Sequence, residues 1–157
     1  MTVFSPSVVP PTVTGTVTET YAAALQHDIA DLPEGATRVG VVRRPTGWFA
    51  ALVDENRPEL GPPESLLSET KDRQEALRRR GLCDEEAHNA AWDETDFAAR
   101  YREHLASGAA AAAVTDLAER VAAGEAVALV CFEGDSKRCH RRILDDAVRE
   151  RAADLVE

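Results

Sequence analysis

The sequence is poor in lysine, aromatic residues and cysteine, and it has no long apolar stretch. Lys71 and Lys137 are the only lysines among its 18 basic residues, whereas hyperthermophile proteins are usually rich in lysine and glutamate. Its three cysteines cannot all pair with one another, so we expect a reducing compartment, the cytoplasm, rather than a disulfide-rich secreted domain. No apolar run approaches the roughly 20 residues that cross a bilayer, so we expect no membrane partner.

Acidic residues clearly outnumber basic ones. The chain has 28 aspartates and glutamates against 18 lysines and arginines, which gives a net charge of −10. Such a surplus is screened in concentrated salt, where the Debye length falls to about 3 Å at 1 M. Together with the high alanine and arginine content, it favours a halophilic organism with an acidic proteome over a mildly acidic mesophile. Duplex-binding proteins normally show a strongly basic face, so the charge disfavours nucleic acid as a partner.

Short apolar runs alternate with helical stretches, which predicts an α/β fold with a small, mainly parallel sheet and helices packed on it. We expect one domain over residues 12–157, preceded by an irregular arm over residues 1–11 that holds three prolines. The predicted strands are Thr12–Thr18, Arg38–Val42 and Ala126–Phe132, with Gly15 marking a bulge or a close backbone approach. The predicted helices are Thr20–Leu32, Trp48–Val53, Glu64–Arg80, Asp93–Ala106, Ala109–Ala123 and Arg138–Leu155; Asn56–Pro63 is a predicted loop, and Leu82–Asp93 is ambiguous.

The segment Cys131–Arg142 provides the main functional prediction. A buried strand ends there, a polar loop with a glycine follows, and a helix begins near Arg138. Free backbone N–H groups at such a helix start can hold an anion. The last six residues of the segment include four cations, which are Lys137, Arg138, Arg141 and Arg142. Cations are unfavourable at this electropositive helix end, and an anionic ligand would remove the conflict.

A purely structural interpretation of these cations stays open. Arg141 and Arg142 precede Asp145 and Asp146 by four residues, so both can form ion pairs on a solvated helix face. Such pairs stabilise a helix by only about 0.2–0.5 kcal/mol each, and the acid-first order is the better one. We favour anion binding.

Three residues of this segment are candidates for catalysis. His140 shares a helical stripe with Leu144 and Val148, so it is either a core residue or a general acid/base. Cys131 faces a helix start and arginines, which would stabilise a thiolate, or it is a small buried side chain. Glu133 would act as a base or orient an arginine, or it is simply solvated.

Arg43 and Arg44 form a second basic group after an early strand. If that strand runs parallel to Ala126–Phe132, both basic groups converge on one edge of the sheet. Alternatively, one of these arginines forms a salt bridge with a nearby carboxylate.

A zinc site would need soft ligands from Cys83, His88, Cys131, Cys139 and His140, but their spacing is not that of a structural zinc site. We therefore expect no metal and no cofactor.

The arrangement strand–CFE–loop–RCHRR–helix resembles the C-terminal signature of the domain of unknown function 488 family. The matching residues are Cys131, Glu133, Cys139, His140 and Arg141, and two further landmarks are similar, Arg43 with Pro45 and Leu60 with Gly61. The family's early strand carries an acidic residue where this chain has Val41, and the family's Gly-His element is replaced by Gly15 alone. The resemblance spans about Thr12–Val148 and implies a shared fold and pocket, but no particular reaction.

The sequence thus predicts a phosphate- or nucleotide-like anion site at the carboxyl ends of the strands. The anion-binding residues would be Arg43, Arg44, Arg138 and Arg141, and the catalytic residues would be His140, Cys131 and Glu133. A nucleic-acid-associated accessory protein and a non-catalytic protein-interaction module are the alternatives. The residues leave open whether the protein is an enzyme and whether it forms oligomers.

Overall fold

The computed structural model describes residues 14–132 and 138–156. Its four strands form one all-parallel sheet in the order β1-β4-β2-β3. The strands are β1 Thr16–Tyr21, β2 Thr37–Gly40, β3 Glu55–Asn56 and β4 Ala126–Cys131. β4 lies between β1 and β2 and is buried from its second residue to its last, as expected for a continuously apolar strand inside a parallel sheet. The predicted α/β fold is confirmed.

Helices precede and follow the strands along the described chain. They are α1 Ala22–Gln26, α2 Gly47–Ala50, α3 Glu64–Arg79, α4 Asp84–Glu94, α5 Phe97–Leu105, α6 Gly108–Ala122 and α7 His140–Leu155. One turn of 3₁₀ helix, Pro58–Leu60, leads into α3. In the part of the chain that the structure describes, no helix is both long and apolar enough to cross a membrane.

The first helix is much shorter than the predicted Thr20–Leu32. Thr20 and Tyr21 continue β1 instead, because they pair in parallel register with Val130 and Cys131 of β4. Asp28 then takes a left-handed conformation with φ of 57°, which stops any helical continuation. Pairing with a strand more than a hundred residues away therefore overrides the local helical periodicity.

The ambiguous stretch before Asp93 forms α4, and its start has an unusual cap. The Cys83 sulfur accepts a hydrogen bond from the Glu86 N–H at 3.4 Å, and the Glu86 carboxylate accepts one from the Cys83 N–H at 3.3 Å. This is a capping box with cysteine in the usual place of serine or threonine. Asp96, with φ of 55°, separates α4 from α5, so the helix predicted from Asp93 begins only at Phe97.

A single main core joins the sheet to α5, α6 and α7. Its fully buried members include Val39 and Leu129 of the sheet, Tyr101 of α5, Leu117 of α6 and Leu144 of α7. A side chain at Gly15 would place its Cβ 2.3 Å from the Glu125 carbonyl oxygen, so the close backbone approach predicted there is confirmed. This packing brings the start of α7 to the edge where β2 and β4 end.

Candidate functional site

A cavity of about 340 Å³ opens at the carboxyl ends of β2 and β4, and we call it the strand-end cavity. Its walls come from the segments after β2 and β4, from α3 and α4, and from the start of α7. The lining residues are Val42, Arg43, Arg44, Pro62, Glu64, Leu67, Ser68, Thr70, Lys71, Gln74, His88, Trp92, Phe97, Cys131, Phe132, Arg138, Cys139 and His140. Arg43 and Arg44 therefore meet one member of the second predicted basic group here, Arg138, together with Cys131 and His140.

Arg43 is held in the cavity wall by backbone carbonyl groups. Its Nε donates to the Pro62 carbonyl at 2.6 Å and its Nη2 to the Gly61 carbonyl at 3.0 Å. Gly61 has to be glycine, because a Cβ there would lie 2.5 Å from the Arg43 nitrogen. Within residues 14–132 and 138–156, no carboxylate pairs with the Arg43 guanidinium. A half-buried positive charge is thus fixed at the cavity without a neutralising acid in the described chain.

Arg44 and Arg138 are exposed and have carboxylate partners. Arg44 pairs with Glu64 and Arg138 with Asp93. The salt bridge foreseen for one of the two early arginines is thus made by Arg44. The Arg138 backbone is also anchored to α4, because its N–H donates to the Asn89 Oδ1 at 2.9 Å and its carbonyl oxygen lies 2.7 Å from the His88 Nε2.

His140 is both a core residue and a wall of the cavity. The side chain is 8% exposed, and its ring meets the Tyr101 ring edge-on at 5.3 Å between centroids. Its Nε2 lies 2.6 Å from the Val41 carbonyl oxygen, which can only accept, so Nε2 carries a proton. The Cys139 sulfur lies 3.6 Å from Nδ1. Any proton that a neutral His140 accepts would therefore go to Nδ1.

Cys131 is buried at the end of β4, and its surroundings favour the neutral thiol. Burial raises the pKa of the Cys131 thiol well above its ordinary value of 9.0, and the neighbouring Cys139 acts in the same direction. His140 and Arg141 lower this pKa, but by less. Of the two interpretations of this cysteine, burial favours the small buried side chain. Glu133 lies outside the described residues.

Arg141 contacts Cys131 but does not line the strand-end cavity. The side chain is only 3% exposed, its Nη1 donates to the Cys131 sulfur at 3.0 Å, and its Nε lies 3.3 Å from the Glu19 Oε1. Its guanidinium also stacks over the Tyr21 ring at 5.5 Å from the ring centre. Asp145, the carboxylate four residues on, pairs with Arg149. Arg141 is therefore buried against β1 rather than placed on a solvated helix face.

A second cavity of about 550 Å³ contains Arg141, and we call it the Arg141 cavity. It shares Trp92, Arg138 and Cys139 with the strand-end cavity, so these residues form a common wall. Its other lining residues are Glu19, Asn89, Ala98, Arg102, Arg141, Arg142, Ile143 and Asp146. Arg43 and Arg141 thus line two adjacent cavities, and not one.

Several polar residues of the strand-end cavity were not predicted as anion-binding or catalytic residues, among them Lys71, Gln74 and His88. Lys71 and Gln74 come from α3, and His88 comes from α4. Leu67, Lys71 and Gln74 are spaced by four and three residues, so they share one helical face, and that spacing was the available signal. Nothing local indicated that this face covers the strand ends.

The lining of the strand-end cavity is strongly cationic for so acidic a chain. It has four permanent cations, Arg43, Arg44, Lys71 and Arg138, against one carboxylate, Glu64. Neither Arg43 nor Lys71 has a carboxylate partner among the described residues. The same described part of the chain has no group of three or more histidine, cysteine or acidic side chains that could hold a metal. The electrostatics suit a negatively charged ligand.

The chain is similar to a known protein family. The model of a family described as "Active DUF488-N3 subclade" matches residues 21–152, most of the chain and every candidate site residue. No curated protein and no solved structure gives a significant match.

Proposed function

This chain belongs to the domain of unknown function 488 (DUF488) family, and we propose that it binds a small phosphate- or nucleotide-like anion in the strand-end cavity. The supporting observation is the excess of four cations over one carboxylate in the cavity wall, within a chain of net charge −10. Arg43 and Lys71 are the strongest support for anion binding, because neither is neutralised by a carboxylate of the described residues. A bound anion would supply the missing negative charge.

The proposed residues have different roles. Arg43 and Lys71 contact the anion directly, while Arg44 and Arg138 reach it by exchanging their exposed partners, Glu64 and Asp93. The start of α7 also borders the cavity and adds about half a positive charge from the helix dipole. Arg141 does not contact the ligand; its positive charge, next to Cys131, adds to the positive potential near the cavity.

If the ligand is also transformed, His140 is the proposed general acid/base. It borders the cavity, and the Val41 carbonyl fixes its ring so that Nδ1 is the atom that exchanges a proton. Cys131 and Glu133 remain predicted catalytic residues; the burial of Cys131 suits a hydrogen-bond donor better than a nucleophile. Substrate positioning would then come from the arginines and Lys71.

Lys71→Ala is the sharpest test of anion binding, because this exposed side chain has no hydrogen bond within the described chain whose loss would destabilise the fold. We expect inorganic phosphate, titrated calorimetrically at fixed ionic strength, to bind the variant at least about tenfold more weakly, because a hydrogen bond to a charged group contributes roughly 1.5–3 kcal/mol. Arg79→Ala, on the same helix but outside the cavity, should leave the phosphate affinity unchanged. Equal phosphate affinity in both variants would contradict the proposal.

We further propose that the protein works in a reducing cytoplasm of high ionic strength. The support is its low and odd number of cysteines, three, and its net charge of −10.

A further inference from the structure

Two exposed aromatic side chains touch one another beside the strand-end cavity. Four large apolar side chains of the described residues are exposed, and the two aromatic ones are Trp48 at 51% and Phe132 at 39%. Their ring centres are 6.2 Å apart and the rings are tilted by 56°. Burial of such rings stabilises a fold, so two exposed rings in contact with one another point to a binding surface.

The aromatic pair is held in place by the core. Phe132 directly follows β4 and rests on the fully buried Phe49, with 4.7 Å between ring centres. Trp48 precedes Phe49 in α2, so a single short helix carries both the exposed indole and the ring beneath Phe132. The pair is therefore a fixed surface that needs little ordering when a ligand binds.

The aromatic surface is continuous with the cationic one. Phe132 itself lines the strand-end cavity, together with Arg43 and Lys71. The cavity volume of about 340 Å³ is at the low end for a small-molecule site, enough for a phosphate and a small polar group. A larger ligand that placed its anion between Arg43 and Lys71 would extend over Phe132 towards Trp48.

We propose that Trp48 and Phe132 form a stacking surface for a nucleobase, so that the ligand of the strand-end cavity is a mononucleotide. This inference rests on the proposed anion binding and specifies its ligand. A planar base gains energy from stacking on an exposed ring while its polar edges stay in water, which an aliphatic chain would not need. The negative surface of the protein disfavours a polynucleotide, whose other phosphates would lie outside the cavity.

A comparison of three ligands tests the stacking surface. Calorimetric titrations of the unmodified protein with inorganic phosphate, ribose 5-phosphate and adenosine 5′-monophosphate should show the nucleotide binding roughly five- to a hundredfold more tightly than ribose 5-phosphate. Trp48→Ala should abolish most of this difference and leave the affinity for ribose 5-phosphate unchanged. Ile29→Ala, which also shortens an exposed apolar side chain but lies outside the cavity, should keep the difference.

Fluorescence gives an independent measurement, since Trp92 is buried and Trp48 is the exposed tryptophan. Adenosine 5′-monophosphate should quench the emission of the unmodified protein. In Trp48→Phe the quenching should be reduced to the part that comes from Trp92, which lines the cavity, while the affinity is kept because phenylalanine still offers a ring.

Three results would overturn the inference, and they are distinguishable. Equal affinity for the nucleotide and for ribose 5-phosphate would remove the stacking surface and leave the anion site standing. Absence of binding by all three ligands, inorganic phosphate included, would remove the anion site as well. Much tighter binding of a single-stranded thymidylate hexamer, weakening steeply with salt, would replace the mononucleotide by a polymer.

Discussion

The first two residues of α7, His140 and Arg141, line two different cavities. His140 lines the strand-end cavity and Arg141 lines the other one, because neighbouring positions on a helix point about 100° apart. The sequence predicted one anion site for the cations of this stretch, but among the described ones only Arg138 lines both cavities, whereas Arg141 and Arg142 line the Arg141 cavity. Cys131 connects the two sides, since it borders the strand-end cavity and accepts a hydrogen bond from Arg141.

We expect Cys131 to resist alkylation in the native protein. Burial raises the pKa of this thiol well above 9.0, so almost none of it is thiolate at pH 8. Iodoacetamide at that pH should modify the exposed Cys83 first, as read by peptide mass spectrometry. In urea both cysteines should react at similar rates. Preferential native modification of Cys131 would contradict its assignment as a buried neutral thiol.

The raised pKa of Cys131 also predicts alkaline destabilisation. Above pH 9 the unfolded chain loses this proton while the folded chain keeps it, so the free energy of unfolding falls as the pH rises. Burial raises the pKa of Tyr101 well above 10.0 and adds to the same trend at higher pH. The melting temperature should fall from pH 9 to 11, and less steeply in Cys131→Ala. Identical slopes in the two proteins would refute the contribution of Cys131.

At the scale of elements, the parallel strands explain why the site could be predicted in part. Arg43 follows β2 and Cys131 ends β4, and because these strands are adjacent and parallel, their carboxyl ends lie together as the expected parallel arrangement required. α3 was also foreseen, with nearly its observed bounds, but its position over the strand ends was not. Lys71 was missed for that reason, since helix placement depends on packing between distant residues.

Short elements were the least predictable. β3 consists of only two residues, Glu55 and Asn56, and forms because they pair with Val39 and Gly40 of β2. The cap of α4 uses Cys83, which is not among the usual capping residues. In both cases the local structure depends on a specific contact that residue type and hydrophobic pattern do not predict.

The hydrogen bonds from Arg43 to the Gly61 and Pro62 carbonyl groups provide a test. In Gly61→Ala the new Cβ would lie 2.5 Å from the Arg43 nitrogen, so the loop must shift and the carbonyl bonds to the guanidinium are lost. We expect a loss of roughly 1–3 kcal/mol in the free energy of unfolding, measured with urea, and weaker phosphate binding.

Gly47→Ala is the matched control, because its Cβ would meet no atom within 4 Å. Its free energy of unfolding should change by less than about 0.5 kcal/mol. If Gly61→Ala behaves in the same way, the close approach of Gly61 to Arg43 has no energetic importance.

For the whole molecule, the net charge of −10 predicts stabilisation by salt. Screening reduces the repulsion among carboxylates that folding brings together, with a Debye length of about 3 Å at 1 M. The melting temperature should rise from 0.1 M to about 2 M potassium chloride, as measured by calorimetry. A variant that neutralises the exposed Asp31, Glu34 and Glu103 should show a smaller rise. A melting temperature that falls with salt would contradict adaptation to a saline cytoplasm.

The central position of β4 also determines when the sheet can form during translation. β1 and β2 each pair with β4 and not with one another, although both precede it by more than eighty residues. While the ribosome is still translating the stretch between them and β4, neither strand has its central neighbour, and their hydrogen-bonding edges stay open to other nascent chains. The sheet can close only after β4 leaves the exit tunnel, so stalling before codon 126 would leave an aggregation-prone intermediate.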